Sequence, residues 1–374
     1  PEDKRLQKYM FSKWREVAEL YGYEEYDAPV LEPLEIYTAK SGEEIVNDQT
    51  YLFEDRGGRK VVIRPEMTPT VSRMVAGQRQ ELGYPLRWYS IPNLWRYERP
   101  QRGRLREHWQ LNVDIFGVAD TEAEYEIITL VDSMFKSFGA SRDMYEIKLN
   151  SRELINYALG TYLKLTAVES HTVTKLPKEL KVHPSAVHLK DMLKQLNDHG
   201  ISNARFDICL MRGFDYYTDI VFEVFDKHPD NNRSMLGGGR YDGLVGLFGV
   251  EPVPTVGFGW GDVTLANFLE LHRLLPKLPT ETEVYVALVG DAIEAARKPI
   301  ASLREMGVNV AVDSSGRKLD KQIKTADKKG IPYVMVMGHN EIDSGQYSLK
   351  NLATGNEETH SLERIVTVLK DNRK

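Results

Sequence analysis

The residues best suited to chemistry lie on either side of an arginine-rich loop. Arg96 and Glu98 precede this loop, and Gln110 and Asp114 follow it. Same-face residues recur at every second position of a strand, so two paired antiparallel strands would bring these four side chains to one sheet face. Arginine binds two phosphate oxygens at once, and the amide and carboxylate could hold an ammonium group. The alternative is a solvated, charged hairpin.

Two further strings combine polar side chains with glycine. In Arg-Gly-Phe-Asp-Tyr-Tyr-Thr, which starts at Arg212, Tyr216 and Tyr217 could present hydroxyl groups to a bound ligand. The arginine would supply fixed positive charge to the same site, whereas the alternative is a strand end with packed tyrosines. A Gly-Gly-Gly-Arg-Tyr-Asp string lies in a predicted loop, Leu236 to Gly243. Its glycines would let the backbone approach a substrate, or would form only a flexible turn.

Composition limits the location and the class of protein. The chain has 374 residues, of which 41% are hydrophobic, so we expect more than one folded domain. Its single cysteine, Cys209, excludes an intramolecular disulfide and fits a reducing compartment. We find neither an apolar run of about 18 residues nor a signal peptide. The expected location is therefore cytoplasmic, with no membrane segment.

Basic residues concentrate in two segments, although the net charge of −6 argues against a protein that coats nucleic acid. Between Arg96 and Arg106 there are five arginines and one glutamate. Between Gly316 and Gly330 there are six basic and two acidic residues. These are the two segments that we expect to contact phosphate.

The spacing of apolar residues predicts an α+β fold. A helix ends near Gly22, and a strand interrupted by Pro29 follows it. Leu94 to Arg99 and Trp109 to Phe116 read as a hairpin around the arginine-rich loop. Because the strands here are adjacent, without a helix between each pair, they favour an antiparallel sheet flanked by helices.

The arginine-rich hairpin resembles the second signature motif of class II aminoacyl-tRNA synthetases, in which an Arg-x-Glu strand, a loop and an aromatic strand hold bent ATP. The resemblance implies that Arg96 contacts the α-phosphate and that the ring of His108 stacks on adenine. It also implies that Glu98 contacts the adenine amino group. Arg104 and Arg106 would assist the phosphates.

Two other features extend this resemblance. Arg99 and Gln101 would face the acceptor end of the tRNA. The first class II motif, a long helix followed by a proline-bearing strand, resembles Leu6 to Leu31 with Pro29 in the proline's place. Since this motif forms the dimer interface in the family, we expect a homodimer through the N-terminal helix and the Pro29 strand.

The two glycine-containing strings resemble the histidine-specific motifs of histidyl-tRNA synthetases, and the resemblance covers nearly the whole chain. It implies a histidine pocket that includes Tyr216, Tyr217 and Tyr241. Arg96 and Arg212 would be the catalytic residues and would also contact histidine.

A short segment before a proline also matches this family. Glu66 and Thr68 would bind the α-amino group of histidine together with Gln110 and Asp114, and Met67 belongs to the same predicted site. The alternative role for Thr68 is the N-cap of the helix that follows.

The third class II motif departs from the family pattern. Aligning Gly257 to Gly261 with it puts Thr264 where the family has an arginine for the γ-phosphate. Arg240, Arg104 or Arg106 could replace that contact. Mg²⁺ is expected on the β- and γ-phosphates, and no protein ligand is assigned to it.

The resemblance divides the chain into domains and implies its activity. Residues 1–274 would form the class II catalytic domain, with a short helical insertion at about 153–203. Residues 275–282 would be a linker, and 283–374 a small, mostly parallel α/β domain that binds the anticodon. The implied activity is that of a histidine–tRNA ligase, which activates histidine with ATP and transfers it to the 3′ end of histidine tRNA. Histidine, ATP and that tRNA are the expected partners.

Three other functions are alternatives to this one. A regulatory paralogue would bind histidine without charging tRNA and would lack the C-terminal domain and many ATP contacts. A synthetase for glycine, proline or threonine would not carry the string from Arg212 to Thr218, and a pure RNA-binding module would need no amino-acid pocket.

In the C-terminal domain, one helix has a lysine face that could contact RNA phosphate or could simply be solvated. Its lysines are Lys318, Lys321, Lys324, Lys328 and Lys329.

Overall fold

The computed structural model separates the chain into two compact units. One unit is Leu6–Leu275, and the other combines Pro1–Arg5 with Pro276–Lys374. The structure describes residues 1–38, 49–99, 103–158, 178–210, 216–231 and 233–371.

The part of the chain before residue 276 mixes helices and strands without regular alternation. This order agrees with the predicted α+β class, because several strands follow one another directly. The elements are α1 (Glu2–Leu20), β1 (Glu24–Glu25), β2 (Leu31–Pro33), α2 (Glu35–Thr38), β3 (Tyr51–Glu54), β4 (Lys60–Ile63), α3 (Thr68–Gly77), β5 (Leu86–Ser90), β6 (Asn93–Trp95), β7 (Glu107–Phe116), α4 (Glu122–Ser137), β8 (Tyr145–Ser151), α5 (Arg152–Asn156), α6 (Pro184–Asp198), β9 (Ala204–Phe206), β10 (Ile220–Asp226), β11 (Ser234–Arg240), β12 (Thr255–Gly261) and α7 (Asp262–Leu271).

A nine-stranded sheet forms the centre of the larger unit. Its strand order is β1-β5-β7-β12-β11-β10-β8-β9, and β6 also pairs with β7. All of these pairs are antiparallel except the two at the edges, β1 with β5 and β8 with β9. A small second sheet has the order β2-β4-β3. The predicted sheet flanked by helices is confirmed, and its two parallel edge pairs make it mixed.

The main hydrophobic core joins one face of this sheet to the helices. In α1, apolar residues recur at helical spacing, and Trp14 is completely buried against Trp260 of β12, with ring centroids 5.9 Å apart. Phe135 of α4 packs on the same tryptophan at 4.6 Å. Burying each of these large side chains contributes about 1.5–3 kcal/mol. The helix ends before Gly22, whose φ of +78° suits glycine.

The predicted loop from Leu236 to Gly243 is wrong, because its first half is the central strand β11. Its glycines explain the difference. A Cβ on Gly239 would lie 2.6 Å from the carbonyl oxygen of Ile220, and a Cβ on Gly238 would collide with that of Gly257. These positions therefore let neighbouring strands pack closely, and the alternative of a flexible turn is also wrong.

Three other strand predictions need correction. The predicted strand around Pro29 is wrong, because Pro29 lies between β1 and β2 rather than within a strand. The strand predicted over Leu94–Arg99 ends at Trp95, although the backbone N–H of Arg96 still donates to the Arg106 carbonyl at 2.9 Å. The sequence also predicts a strand over Arg205 to Arg212. In the described residues this strand is limited to β9, and the end of the predicted range, from residue 211, lies outside them.

The unit that contains the C-terminal part of the chain has its own five-stranded sheet, in the order β14-β13-β15-β16-β17. Its first three strands are parallel, whereas the last two join antiparallel, so the sheet is half parallel rather than mostly parallel. The five predicted lysines are all exposed on or beside α9. The elements are β13 (Val284–Leu288), α8 (Ile293–Glu305), β14 (Val310–Asp313), α9 (Leu319–Lys328), β15 (Tyr333–Met337), α10 (His339–Ser344), β16 (Tyr347–Asn351), β17 (Glu357–His360) and α11 (Leu362–Asp371).

Among the residues described, no helix combines the length and the apolar character needed to span a bilayer.

Candidate active site

Alternation along β7 and β12 gives the sheet two different faces. Leu111 and Val113 of β7 belong to the hydrophobic core. On the opposite face, His108 and Gln110 line a cleft of about 880 Å³ together with Gly259 of β12. The period-two pattern of a strand therefore separates the side chains that hold the fold together from those that face a ligand.

Glycines at the cleft positions of β12 make room for the polar side chains of β7. A Cβ on Gly259 would lie 2.6 Å from the Gln110 amide nitrogen. A Cβ on Gly257 would collide with the Asp114 carboxylate and lie 2.7 Å from the Val113 carbonyl oxygen. The two polar side chains can thus lie flat across the neighbouring strand.

The first arginine of the hairpin stands where two cavities meet. Arg96 lines both the large cleft and a smaller adjoining pocket. Its Nε donates to the Pro65 carbonyl at 2.9 Å, which fixes the guanidinium on the segment before α3. Burial, together with the smaller effect of the nearby Arg96 charge, lowers the pKa of His108 to about 4. The imidazole is therefore neutral at physiological pH.

The other residues of the hairpin divide into two groups. Glu98 and Arg104 line the cleft and form an ion pair at 3.4 Å. Arg106 and Arg99 line neither cavity. Arg106 lies 4.4 Å from the ring centroid of Tyr97 and donates to the Glu98 carbonyl at 3.3 Å. The structure thus brings only part of the predicted phosphate-binding arginines to the cleft.

The smaller pocket brings together residues from the three sequence segments that are predicted to bind the amino acid. Glu66, Thr68, Tyr216, Tyr217 and Tyr241 all line it. Glu66 is almost completely buried, as are the three tyrosines. A carboxylate and several phenol groups therefore surround one small space.

A second carboxyl group, that of Asp114, lines neither cavity but is hydrogen-bonded to Tyr241, which lines the small pocket. Tyr241 donates its hydroxyl proton to Asp114 Oδ1, whereas Oδ2 has no hydrogen-bond partner in the part of the chain that the structure describes. Burial raises the pKa of Asp114 to about 7, and the hydrogen bond from Tyr241 offsets only part of this effect. An incoming cation would satisfy the remaining oxygen and favour the ionised form.

Two predictions for the segment before α3 need correction. Met67 is completely buried and lines neither cavity. Thr68 is not the N-cap, because α3 begins at this residue and Met67 occupies the cap position without a side-chain hydrogen bond. Thr68 instead lines the small pocket.

Arg240 does not reach either cavity. Its guanidinium is buried and forms two bonds of 2.7 Å with Glu124, and it also contacts Asp242 and the carbonyl oxygens of Val118 and Asp120. Because all five N–H groups are engaged, the structure does not support Arg240 as an ATP contact.

Some predicted site residues lie outside the described part of the chain, namely Arg212 and Gln101. Conversely, the cleft contains residues that were not predicted from the sequence: Asp230, Asn231 and Arg233 from the turn between β10 and β11, and Asn267 from α7. In the sequence, the only feature that could have pointed to this turn was its charged residues. Its position beside the cleft depends on strand pairing.

Metal binding by the protein alone has little support in the described residues. No group of three or more histidine, cysteine, aspartate or glutamate side chains there is arranged to hold an ion.

Comparison with known proteins gives a consistent result. The family model described as "Histidyl-tRNA synthetase" matches residues 1–173 and 151–261, and the model described as "Anticodon binding domain" matches residues 283–372. A protein named histidine–tRNA ligase from Leptospira biflexa is 41% identical and aligns with 99% of this chain and 95% of its own length.

More distant relatives agree. A histidine–tRNA ligase from Thermoplasma volcanium is 35% identical over 99% of this chain and 96% of its own. The crystal structure of apo histidyl-tRNA synthetase from S. aureus superposes with a TM-score of 0.82 at 25% identity, covering 99% of this chain and 97% of that one. The resemblance seen in the sequence motifs is therefore confirmed, and this chain belongs to the histidyl-tRNA synthetase family.

Proposed function

We propose that the two adjoining cavities bind histidine and ATP side by side and join them as histidyl-adenylate. The family establishes the overall reaction, which is the ligation of histidine to its tRNA with ATP as a substrate. One observation carries the assignment of the site. Arg96 and Gln110 line both cavities, so groups bound in each would meet at these side chains.

The small pocket is the proposed histidine site. Glu66 and the unsatisfied oxygen of Asp114 would bind the α-ammonium group, with Thr68 and Gln110 beside them. Tyr216, Tyr217 and Tyr241 would surround the imidazole, as their ring centroids lie 4.8 to 5.6 Å apart. A rival amino acid without the imidazole would leave buried polar groups unpaired, which is an efficient basis for selection.

The large cleft is the proposed ATP site. The neutral ring of His108 suits stacking on adenine, because no charge has to be desolvated. Arg96 would contact the α-phosphate, and Arg104, together with Glu98, would contact the rest of the nucleotide. Mg²⁺ takes few protein ligands when it binds a nucleotide, so the sparse carboxylates of the cleft, Glu98 and Asp230, fit an ion held mainly by phosphate. Its contribution would be neutralisation of phosphate charge.

The reaction needs no protein nucleophile. A carboxylate oxygen of histidine attacks the α-phosphorus while the bond to the bridging oxygen breaks and pyrophosphate leaves. The terminal ribose hydroxyl of the tRNA then attacks the adenylate carbonyl, releasing AMP. Arg96 is held by Pro65 before substrate binds, so its positive charge needs little reorganisation to stabilise the phosphoryl transition state. From the sequence, we assign a second such charge to Arg212 and tRNA contacts to Arg99 and Gln101.

The remaining assignments concern domains and partners. We propose residues 1–274 as the catalytic domain and 283–374 as the anticodon-binding domain, in which the exposed lysines of α9 contact RNA. A homodimer is supported by exposed apolar side chains of the small second sheet, which follows Pro29 in the chain, including Leu31, Leu52 and Phe53. The N-terminal helix buries its own apolar face within the subunit, so its part in the interface would be smaller. A cytoplasmic location stays a prediction.

Pyrophosphate exchange into ATP with each of the twenty amino acids tests this function. We expect exchange with histidine alone. Exchange with glycine, proline or threonine would indicate a sister synthetase, and no exchange would favour the regulatory paralogue. A variant with Arg96→Ala should lose exchange while Arg205→Ala, at an exposed arginine paired with Glu146 outside the cleft, should not.

A further inference from the structure

The helix that follows β12 contributes no positive charge to the cleft. The residues of α7 that line the cleft are Val263, Thr264 and Asn267, none of which is a cation. The Thr264 hydroxyl lies 2.8 Å from the Met235 carbonyl and 2.9 Å from that of Gly261. Its hydrogen-bonding capacity is therefore directed to the backbone, including that of β11.

Both ends of α7 hold the hairpin formed by β10 and β11. At the start of the helix, Thr264 bonds to Met235 in β11. Beyond its end, His272 Nε2 lies 2.7 Å from the buried carboxylate of Asp226 in β10. The same carboxylate accepts hydrogen bonds of 2.8 Å from the Asn231 amide and from the backbone of the turn. The turn of this hairpin is thus tied to the helix at two points.

The turn presents an arginine to the cleft. Arg233 lies two residues before Met235 and lines the large cavity, where the carboxyl groups of Glu98 and Asp230 also lie. A polyphosphate entering a cleft with two carboxylates requires opposing cations. The other two arginines that line the cleft are Arg104, which also forms an ion pair with Glu98 at 3.4 Å, and Arg96, which stands at the junction with the small pocket.

We infer that Arg233 binds the terminal phosphates of ATP, and that Thr264 acts as a positioning residue by holding β11, the strand that directly follows Arg233. This inference rests on the proposed function, since it takes ATP as the ligand of the cleft. Arg240 and Arg106 are not available for this contact, because the first is saturated by Glu124 and its neighbours and the second lies on Tyr97. An arginine from the hairpin turn thereby supplies charge that α7 does not.

Binding of ATP and of AMP to the full-length protein, measured by calorimetry, tests the phosphate contact. AMP has no β- or γ-phosphate, so Arg233→Ala should raise the Kd for ATP by about tenfold to hundredfold and change the Kd for AMP by less than about twofold. Arg233→Lys should recover part of the loss, because it keeps the charge but not the planar fork. Arg205→Ala serves as the matched control and should change neither affinity. Equal weakening of ATP and AMP, or unchanged ATP binding, would overturn the inference.

The positioning role of Thr264 has its own test. Thr264→Val removes the bond to Met235 and should weaken ATP but not AMP, whereas Thr264→Ser keeps the hydroxyl and should bind both normally. In an Arg233→Ala background, Thr264→Val should have no further effect on ATP, because its action passes through the arginine. A full additional loss would refute this role.

Failure of the inference can be told apart from failure of the proposed function. A wild-type protein that does not exchange pyrophosphate with histidine contradicts the function. Normal wild-type exchange with unchanged ATP affinity in Arg233→Ala contradicts only the assignment of the phosphate contact.

Discussion

The buried carboxyl group of Asp114 should make the stability of the free protein depend on pH. One of its oxygens accepts a hydrogen bond from Tyr241, and the other has no partner in the described residues. Burial raises its pKa to about 7 from a usual value of 3.8. Ionising this buried carboxyl group lowers the free energy of unfolding as pH rises. We predict that Asp114→Asn removes this pH-dependent loss of stability from the free protein and weakens the binding of histidine.

The size of this cost follows from the two pKa values. The folded protein holds the Asp114 proton more tightly than the unfolded chain, so the wild type loses stability as pH rises from about 4 to about 7. One pKa unit corresponds to about 1.4 kcal/mol, so the total cost above pH 7 is about 4 kcal/mol. From about pH 5 to about pH 8 this effect lowers the free energy of unfolding of the wild type by about 2 to 3 kcal/mol. Asparagine does not titrate, so the variant shows no such loss.

Urea unfolding at these two pH values measures the effect. The tryptophans Trp14 and Trp260 lie in the core on the opposite face of the sheet, so their fluorescence reports unfolding of the same unit. The free energy of unfolding of Asp114→Asn minus that of the wild type should rise by about 2 to 3 kcal/mol between about pH 5 and about pH 8. Asp191→Asn, at an exposed aspartate of α6, is the control. The free energy of unfolding of this variant minus that of the wild type should be the same at both pH values.

Histidine binding gives the complementary result. In the proposed site the ammonium group of histidine pairs with the ionised carboxylate of Asp114, so Asp114→Asn should raise the Kd for histidine at least about tenfold. A stability difference that is the same at both pH values would refute the proton linkage, and unchanged histidine affinity would refute the ammonium contact.

The remaining predictions concern packing, assembly and RNA. Gly257→Ala should destabilise the protein by about 1–3 kcal/mol in thermal or urea unfolding, since its Cβ has no room, whereas Gly243→Ala meets no atom within 4 Å and should be tolerated. Leu52→Asp should convert the proposed dimer to monomers in light scattering, and an unaltered mass would contradict the proposed interface. The double variant Lys321→Glu and Lys324→Glu should weaken histidine tRNA binding and flatten its salt dependence while ATP exchange persists; an unchanged salt slope would mean that this lysine face is only solvated.

Local patterns were sufficient for much of the fold. The apolar spacing of α1 and the order of the strands in the larger unit predicted elements that the structure contains, because short-range periodicity decides which face each residue presents. The failure at β11 has a physical cause. Gly238 and Gly239 read as a loop in isolation, and only contact with Gly257 and Ile220 reveals that a side chain would not fit there.

The candidate site was predictable where one strand or string contributes several groups. Gln110 follows from the alternation of β7, and Tyr216 and Tyr217 follow from a string whose family is confirmed by the comparisons. The turn between β10 and β11 had no such signal. Asp230 and Arg233 reach the cleft only because β11 lies beside β12 in the sheet.

The amino-acid sequence alone determined the kind of chemistry and the family, because residue type and short spacing carry that information. Tertiary structure decided which arginines face the cleft. Arg240 lies within a recognisable motif, yet a carboxylate 116 positions away, Glu124, binds it inside the protein. Arg233 lies in a turn with no motif, yet pairing of distant strands brings it to the cavity. The direction of a side chain depends on partners that lie far away in the chain, and the local order of residues does not specify which distant residues come into contact.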